Sequence, residues 1–120
     1  MSLTVYLSRK KWISYDDGIT HTEEDEELFS KNITHNLNIM AGEAGIYTHL
    51  WRPDELGIEN AYALIEPLKQ SLKILKANPE RFKKFNPYYG WGDYEGLVEF
   101  MEDYYNACVK FPNAKIEVSR

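Results

Sequence analysis

The sequence predicts a mostly helical α+β fold: three main helices against a small antiparallel sheet that joins the N- and C-terminal strands. Three observations carry this. Apolar and polar residues alternate near both ends, at Leu3, Val5 and Leu7 and again at Ile116 and Val118, the period-two signature of half-buried strands. Between them, three stretches place apolar residues every three or four positions, as amphipathic helices do. The third is bulk composition. At 120 residues, 43% hydrophobic and 28% charged, the chain is one domain's worth (1–120) and far from a disordered composition.

Taken in order, Leu3–Leu7 reads as the first strand. Arg9-Lys10-Lys11 then suggests a turn, and Lys11–Tyr15 a second short strand ending at Asp16-Asp17-Gly18. The acidic run Glu23–Glu27 reads as a solvated loop or a helix start. A first helix follows a cap at Asn32 or Thr34, with Ile33, Leu37, Met40 and Ala44 as its buried stripe and Gly45 placed to end it. Ile46–Trp51 is apolar, and Arg52–Gly57 looks like a short helical turn with Pro53 at its first position. Ala61, Leu64, Ile65, Leu68, Leu72 and Leu75 stripe a second helix, with Lys69, Lys73 and Lys76 towards solvent. Pro67 falls inside that pattern, where it removes a hydrogen bond and costs ~3 kcal/mol, so a kink or a start near Glu66 is expected.

Pro79–Phe85 makes a helical turn, and Asn86–Gly92 a loop rich in rings and glycine. The third helix runs from about Asp93 to Phe111 and stops at Pro112. Tyr94, Leu97, Val98, Met101, Tyr105, Cys108 and Val109 share one side, and Phe100, Tyr104 and Phe111 widen the apolar arc to about half the circumference. An arc that wide predicts more than one neighbour, with area left for a homodimer. The closing strand around Ile116 and Val118 most simply pairs with the first.

The charge balance narrows the function classes. A net charge of −5 lacks the basic surface that displaces phosphate counterions, which argues against a nucleic-acid binder. A small anionic ligand stays open, because local fields can differ in sign from the total. The single cysteine, Cys108, permits no internal disulfide or cysteine zinc site, and its place in an apolar helical face makes it core. With no charged-then-apolar leader and no membrane-length apolar run, the expected location is the cytoplasm.

Two strings stand out: Ile33-Thr34-His35-Asn36-Leu37 through Met40-Ala41 and Gly45-Ile46-Tyr47 to Leu50-Trp51-Arg52-Pro53, and Gly90-Trp91-Gly92 with Tyr94-Glu95 and the ending Ile116–Arg120. Together they resemble a group of small proteins encoded by bacteriophages and their bacterial hosts, over almost the whole chain. The resemblance implies an accessory protein that binds, neutralising a host enzyme or acting as an anti-defence sponge for a host signal.

Candidate site residues follow from chemistry. His35 lies off the Leu37–Met40 stripe, so core packing there does not account for it. Asn36 and Glu43, seven residues apart, share a helix edge beside it. His21, His35 and His49 match no metal-ligand spacing, and no metal or other cofactor is called for. In the loop Asn86–Gly92, rings at Tyr88, Tyr89 and Trp91 offer stacking surfaces, and the helix beginning at Tyr94 offers N–H groups to an anion. Trp51 and Arg52 are the companion pair, with Arg52 able to clamp an anion or to bridge to Glu55. No nucleophile–base set is recognisable. The sequence therefore points to a non-enzymatic binder of a small anionic or nucleotide-like ligand through His35, Asn36, Glu43, Trp51, Arg52, Tyr88, Trp91 and Tyr94. The alternatives are a protein-interaction module inhibiting a host enzyme and, third, a small hydrolase using His35 and Glu43.

Overall fold

The alternating chain ends meet in one antiparallel sheet of order β2-β1-β3. The structure, a computed structural model, describes residues 1–88 and 90–120. β1 (Ser2–Ser14) is the middle strand. β3 (Lys115–Ser119) pairs with its Thr4–Ser8 stretch, and β2 (His21–Thr34) pairs along its whole length. Leu3, Val5 and Leu7 point into the core and are fully buried, as the alternation requires.

The hairpin corrects three local expectations. Arg9-Lys10-Lys11 is not a turn but the middle of β1, so Lys11–Tyr15 is no separate strand. The Glu23–Glu27 run is neither loop nor helix start but strand. The register supplies the reason: Arg9 lies opposite Glu26, Lys10 opposite Asp25 and Lys11 opposite Glu24. Opposite charges across an antiparallel pair attract, and both segments, read alone, look like solvated punctuation. Arg9 Nε reaches Glu26 at 2.8 Å and Lys10 Nζ reaches Asp25 at 2.6 Å. The register slips between Leu7 and Ser8, leaving Leu28 as a bulge on β2. The true turn is Tyr15–Thr20, where Asp17 accepts the Ile19 and Thr20 N–H groups at 2.9 and 2.7 Å. Beyond Ser8 this hairpin leaves the body as an arm, and the molecule measures 61 Å along its length against 28 and 23 Å across.

The helical half follows the sequence except at its start, where Asn32 and Ile33 lie in β2, opposite Thr4 and Leu3, and not in the first helix. Thr34 caps a 3₁₀ turn, His35–Leu37, that runs into α1 (Asn38–Glu43); Gly45, at φ 76°, ends it in the left-handed region. α2 (Tyr47–Trp51) leads into a 3₁₀ turn, Pro53–Leu56, with proline at its start. α3 (Tyr62–Ala77) begins well before Pro67 and passes through it, so no helix start lies near Glu66. Leu64, Leu68, Leu72 and Leu75, all buried, hold the helix against the core across the missing hydrogen bond. α4 (Pro79–Lys83) is short, and α5 (Tyr94–Lys110) is capped by the Asp93 side chain.

α5 is central, as its wide apolar arc implies. Towards α3, the Tyr94 hydroxyl donates to the Leu75 carbonyl at 2.7 Å. Towards the sheet, Phe29 stacks on Tyr104 at 5.9 Å and the Lys31 ammonium pairs with Asp103. Tyr94, Leu97, Phe100, Met101, Tyr104 and Cys108 are all buried, while Tyr105 is partly buried and Val109 is 49% exposed, so most of the arc is covered within the chain and its edge is left open. Burial pushes the Cys108 thiol up to about 12, which keeps it protonated and unreactive at neutral pH.

Candidate functional site

The two strings that stand out in the sequence meet in space. The Asn36 side-chain amide donates to the Trp91 carbonyl at 3.3 Å. Gly92 sits so close to the first string that a Cβ there would lie 2.7 Å from Thr34 Cγ2 and 3.1 Å from Leu37 Cγ. Its φ of 104° is a second reason that only glycine fits. The far end of the loop is tied as well, because Asn86 Oδ1 accepts the Tyr94 N–H at 2.8 Å. Held at three points, the loop leaves the Trp91 ring 71% exposed and Tyr88 97% exposed. These rings do not cap the core. Tyr89, the third ring of the loop, lies outside the described residues.

Trp51 belongs to the support rather than to the exposed face. It is buried, with Tyr47 stacked on it at 5.2 Å and the His35 ring edge-on at 6.2 Å. The Arg120 guanidinium donates to its carbonyl at 3.1 Å, which joins the chain's last residue to the same region. His35 is thus turned against α2 instead of outward, and its Nε2 is buried without a hydrogen-bond partner among the described residues. His49 Nδ1 shares that condition, and burial lowers the His49 pKa. His21 is far off in sequence and fold, on the arm against Trp12 at 4.7 Å. Among the described residues no three or more of His, Cys, Asp and Glu gather as a metal site would require.

Three of the predicted anion contacts, the Tyr94 and Gly96 N–H groups and Arg52, have partners within the chain. At the start of α5 the Tyr94 N–H goes to Asn86 and the Gly96 N–H goes to Asp93 at 2.7 Å, and the Asp93 carboxylate adds negative charge there. Side-chain capping thus takes two of the N–H groups expected to be free near Tyr94, those of Tyr94 and Gly96, as an anion would. Tyr94 itself is buried, with its hydroxyl on α3. Arg52 takes the second of its two options: Nη1 bonds Glu55 at 3.1 Å, and the Tyr47 hydroxyl together with that carboxylate holds its pKa up. Asn36 and Glu43 do not form one rim, since Glu43 reaches across to Arg81 at 3.9 Å while Asn36 holds Trp91.

The sequence reading missed Ile39, the tethering roles of Asn86 and Gly92 within the loop it singled out, and the rings of the arm. Ile39, 63% exposed, is three residues from Asn36 on the same short helical stretch. Asn86 and Gly92 act through backbone geometry, and only the glycine pair around Trp91 hinted at it. The exposed rings of the arm, Trp12 and Tyr15, were signalled by their odd setting among charges.

Fold and site together define a class: a small, mostly helical α+β protein presenting an aromatic loop pinned to its first helical segment, with a charged hairpin arm. Compared with known proteins, the chain matches no family model, no curated protein and no solved structure. No helix among the described residues is long and apolar enough to cross a membrane.

Proposed function

We propose that the protein is a non-enzymatic binder whose contact face centres on Trp91, on the loop that also carries Tyr88, and that it grips a protein surface. The carrying observation is a tryptophan left 71% exposed on a loop fixed by Asn36, Asn86 and Gly92. A large ring held in place before binding loses little entropy on contact, and such rings dominate the energetics of protein interfaces. A small anionic ligand needs a concave site with convergent donors. Here the Tyr94 and Gly96 N–H groups and Arg52 already have partners, and the groove between α3 and α5 is lined by none of Trp91, Tyr88, His35 or Arg52. The resemblance to phage accessory proteins fits a role in neutralising a host protein.

The test is affinity capture from bacterial extract with the parent and with Trp91→Ala, both quantified by mass spectrometry. One protein should be enriched by the parent and lost about tenfold or more with Trp91→Ala, while Trp12→Ala, on the arm, retains it. If Trp91→Ala captures whatever the parent captures, the face is not the contact. A nucleotide that co-purifies with the parent and not with Trp91→Ala would instead support the small-ligand reading.

A further inference from the structure

We infer that the arm of one chain docks into the groove between α3 and α5 of a second copy, so that two chains exchange arms in a closed dimer. Two surfaces left without partners carry this, and their chemistry is complementary.

The first is the arm tip. Trp12, Tyr15 and Ile19 are 64%, 47% and 83% exposed. Around them Asp16, Glu23 and Glu24 have no ion pair among the described residues and outnumber the one nearby cation, Lys11, which faces Glu24 across the hairpin; nearer the body Arg9 and Lys10 are matched to Glu26 and Asp25. The tip is therefore apolar and net negative. The Asp17 turn gives it a defined shape, yet a two-stranded hairpin standing in water is marginal by itself and gains from being covered.

The second is a groove of about 330 Å³ between α3 and α5. Leu72 lies at its floor and Tyr105 along one wall, with Lys69 and Lys73 one helical turn apart on the rim. Lys76 is held by Glu102 at 3.1 Å, but Lys69 and Lys73 have no ion pair among the described residues. In a chain of net charge −5, adjacent unmatched cations over an apolar floor complement an acidic, aromatic tip.

The occupant is a second copy because the chain carries both halves of the contact. A two-fold axis then lets each copy give one arm and receive one, leaving neither surface open and forming no chain of copies. This contact is separate from the Trp91 face, so either can fail without the other.

Sedimentation equilibrium at about 100 µM should give twice the 14.1 kDa chain mass. Lys69→Glu/Lys73→Glu has like charges in tip and groove and should sediment as a monomer. Glu23→Lys/Glu24→Lys should do the same. Mixed, the two variants restore both complementary contacts and should form a heterodimer that neither forms alone. Ile19→Glu in the parent should also give monomer, with an unchanged helical circular-dichroism signal. A monomeric parent at that concentration overturns the inference, and so does a dimer that survives both charge reversals. Monomeric variants that fail to recombine on mixing overturn it as well.

Discussion

Gly92 has a φ of 104°, and its backbone lies against Thr34 and Leu37, so it sets how closely the loop can approach the first helical segment. Gly92→Ala would place a methyl 2.7 Å from Thr34 Cγ2 in a conformation that L side chains avoid. Something must move, and the Asn36–Trp91 hydrogen bond is the weakest tie nearby at 3.3 Å. The expected outcome is a loss of about 2 kcal/mol in stability by denaturant titration. Partner capture should weaken as in Trp91→Ala, although the ring is still present. A Gly92→Ala protein with parental stability and capture would show that the loop is not pinned here. At this scale the site was half legible. Trp91, Tyr88 and Asn36 stood out by residue type, and that a ring lay in a glycine-rich turn was plain. Which rings face solvent was not, because exposure depends on the neighbours: Trp51 is buried under Tyr47, and Trp91 is covered by nothing of the kind. Arg52 and the Tyr94 N–H looked available because their partners, Tyr47, Glu55 and Asn86, could be read only as possibilities.

Among the elements, those with strong internal periodicity were the legible ones. α3 and α5 kept their predicted stripes apart from Val109, which is exposed, and Asp93 and Phe111 bracket α5 as expected. β1 was legible only where it is half-buried, and β2 not at all, since its inner end at Asn32 and Ile33 reads as the start of a helix. From Arg9 and Glu27 outwards they face water on both sides, alternation vanishes, and the information lies in the pairing of one strand's charges with the other's. β3 is the element whose prediction can be tested most directly. Ile116 is buried, and Arg120 ties the strand's end to the Trp51 carbonyl. Removing Lys115–Arg120 strips one edge from β1 and opens the core at Leu7, whose register partner is Ile116. Loss of that one buried side chain alone costs about 3 kcal/mol, so a clearly lower Tm is expected. A truncated chain that melts like the parent would mean β3 contributes nothing to the sheet.

Across the whole molecule, pH should separate body from arm, because the shifted groups are divided between them. In the body, burial lowers the His49 pKa below 6.5, and its Nδ1 has no partner among the described residues. The unfolded chain therefore binds a proton at this site before the folded one does. Stability is unaffected above about pH 6.5, declines as pH falls through that value, and stops declining from this cause below the folded pKa. On the arm, Asp17 is held below 3.8 by the Thr20 hydroxyl and the Thr20 and Ile19 N–H groups. Asp25 is held low by Lys10, and Glu26 below 4.5 by Arg9. Folded-state pKa values depressed in this way contribute stability above the unfolded values, and that contribution is lost as pH falls through the folded ones. The arm should thus keep its shape through the window in which the body first weakens, and loosen only in stronger acid. Thermal melts from pH 8 to 5 should show Tm falling below about pH 6.5, and His49→Gln should flatten that fall. Over the same range the amide shifts of Ile19 and Thr20, which report the Asp17 turn, should stay constant and move only below about pH 4. If those amides move together with the global melt, arm and body do not titrate separately. A His49→Gln protein with the parent's slope would assign the near-neutral loss to another group.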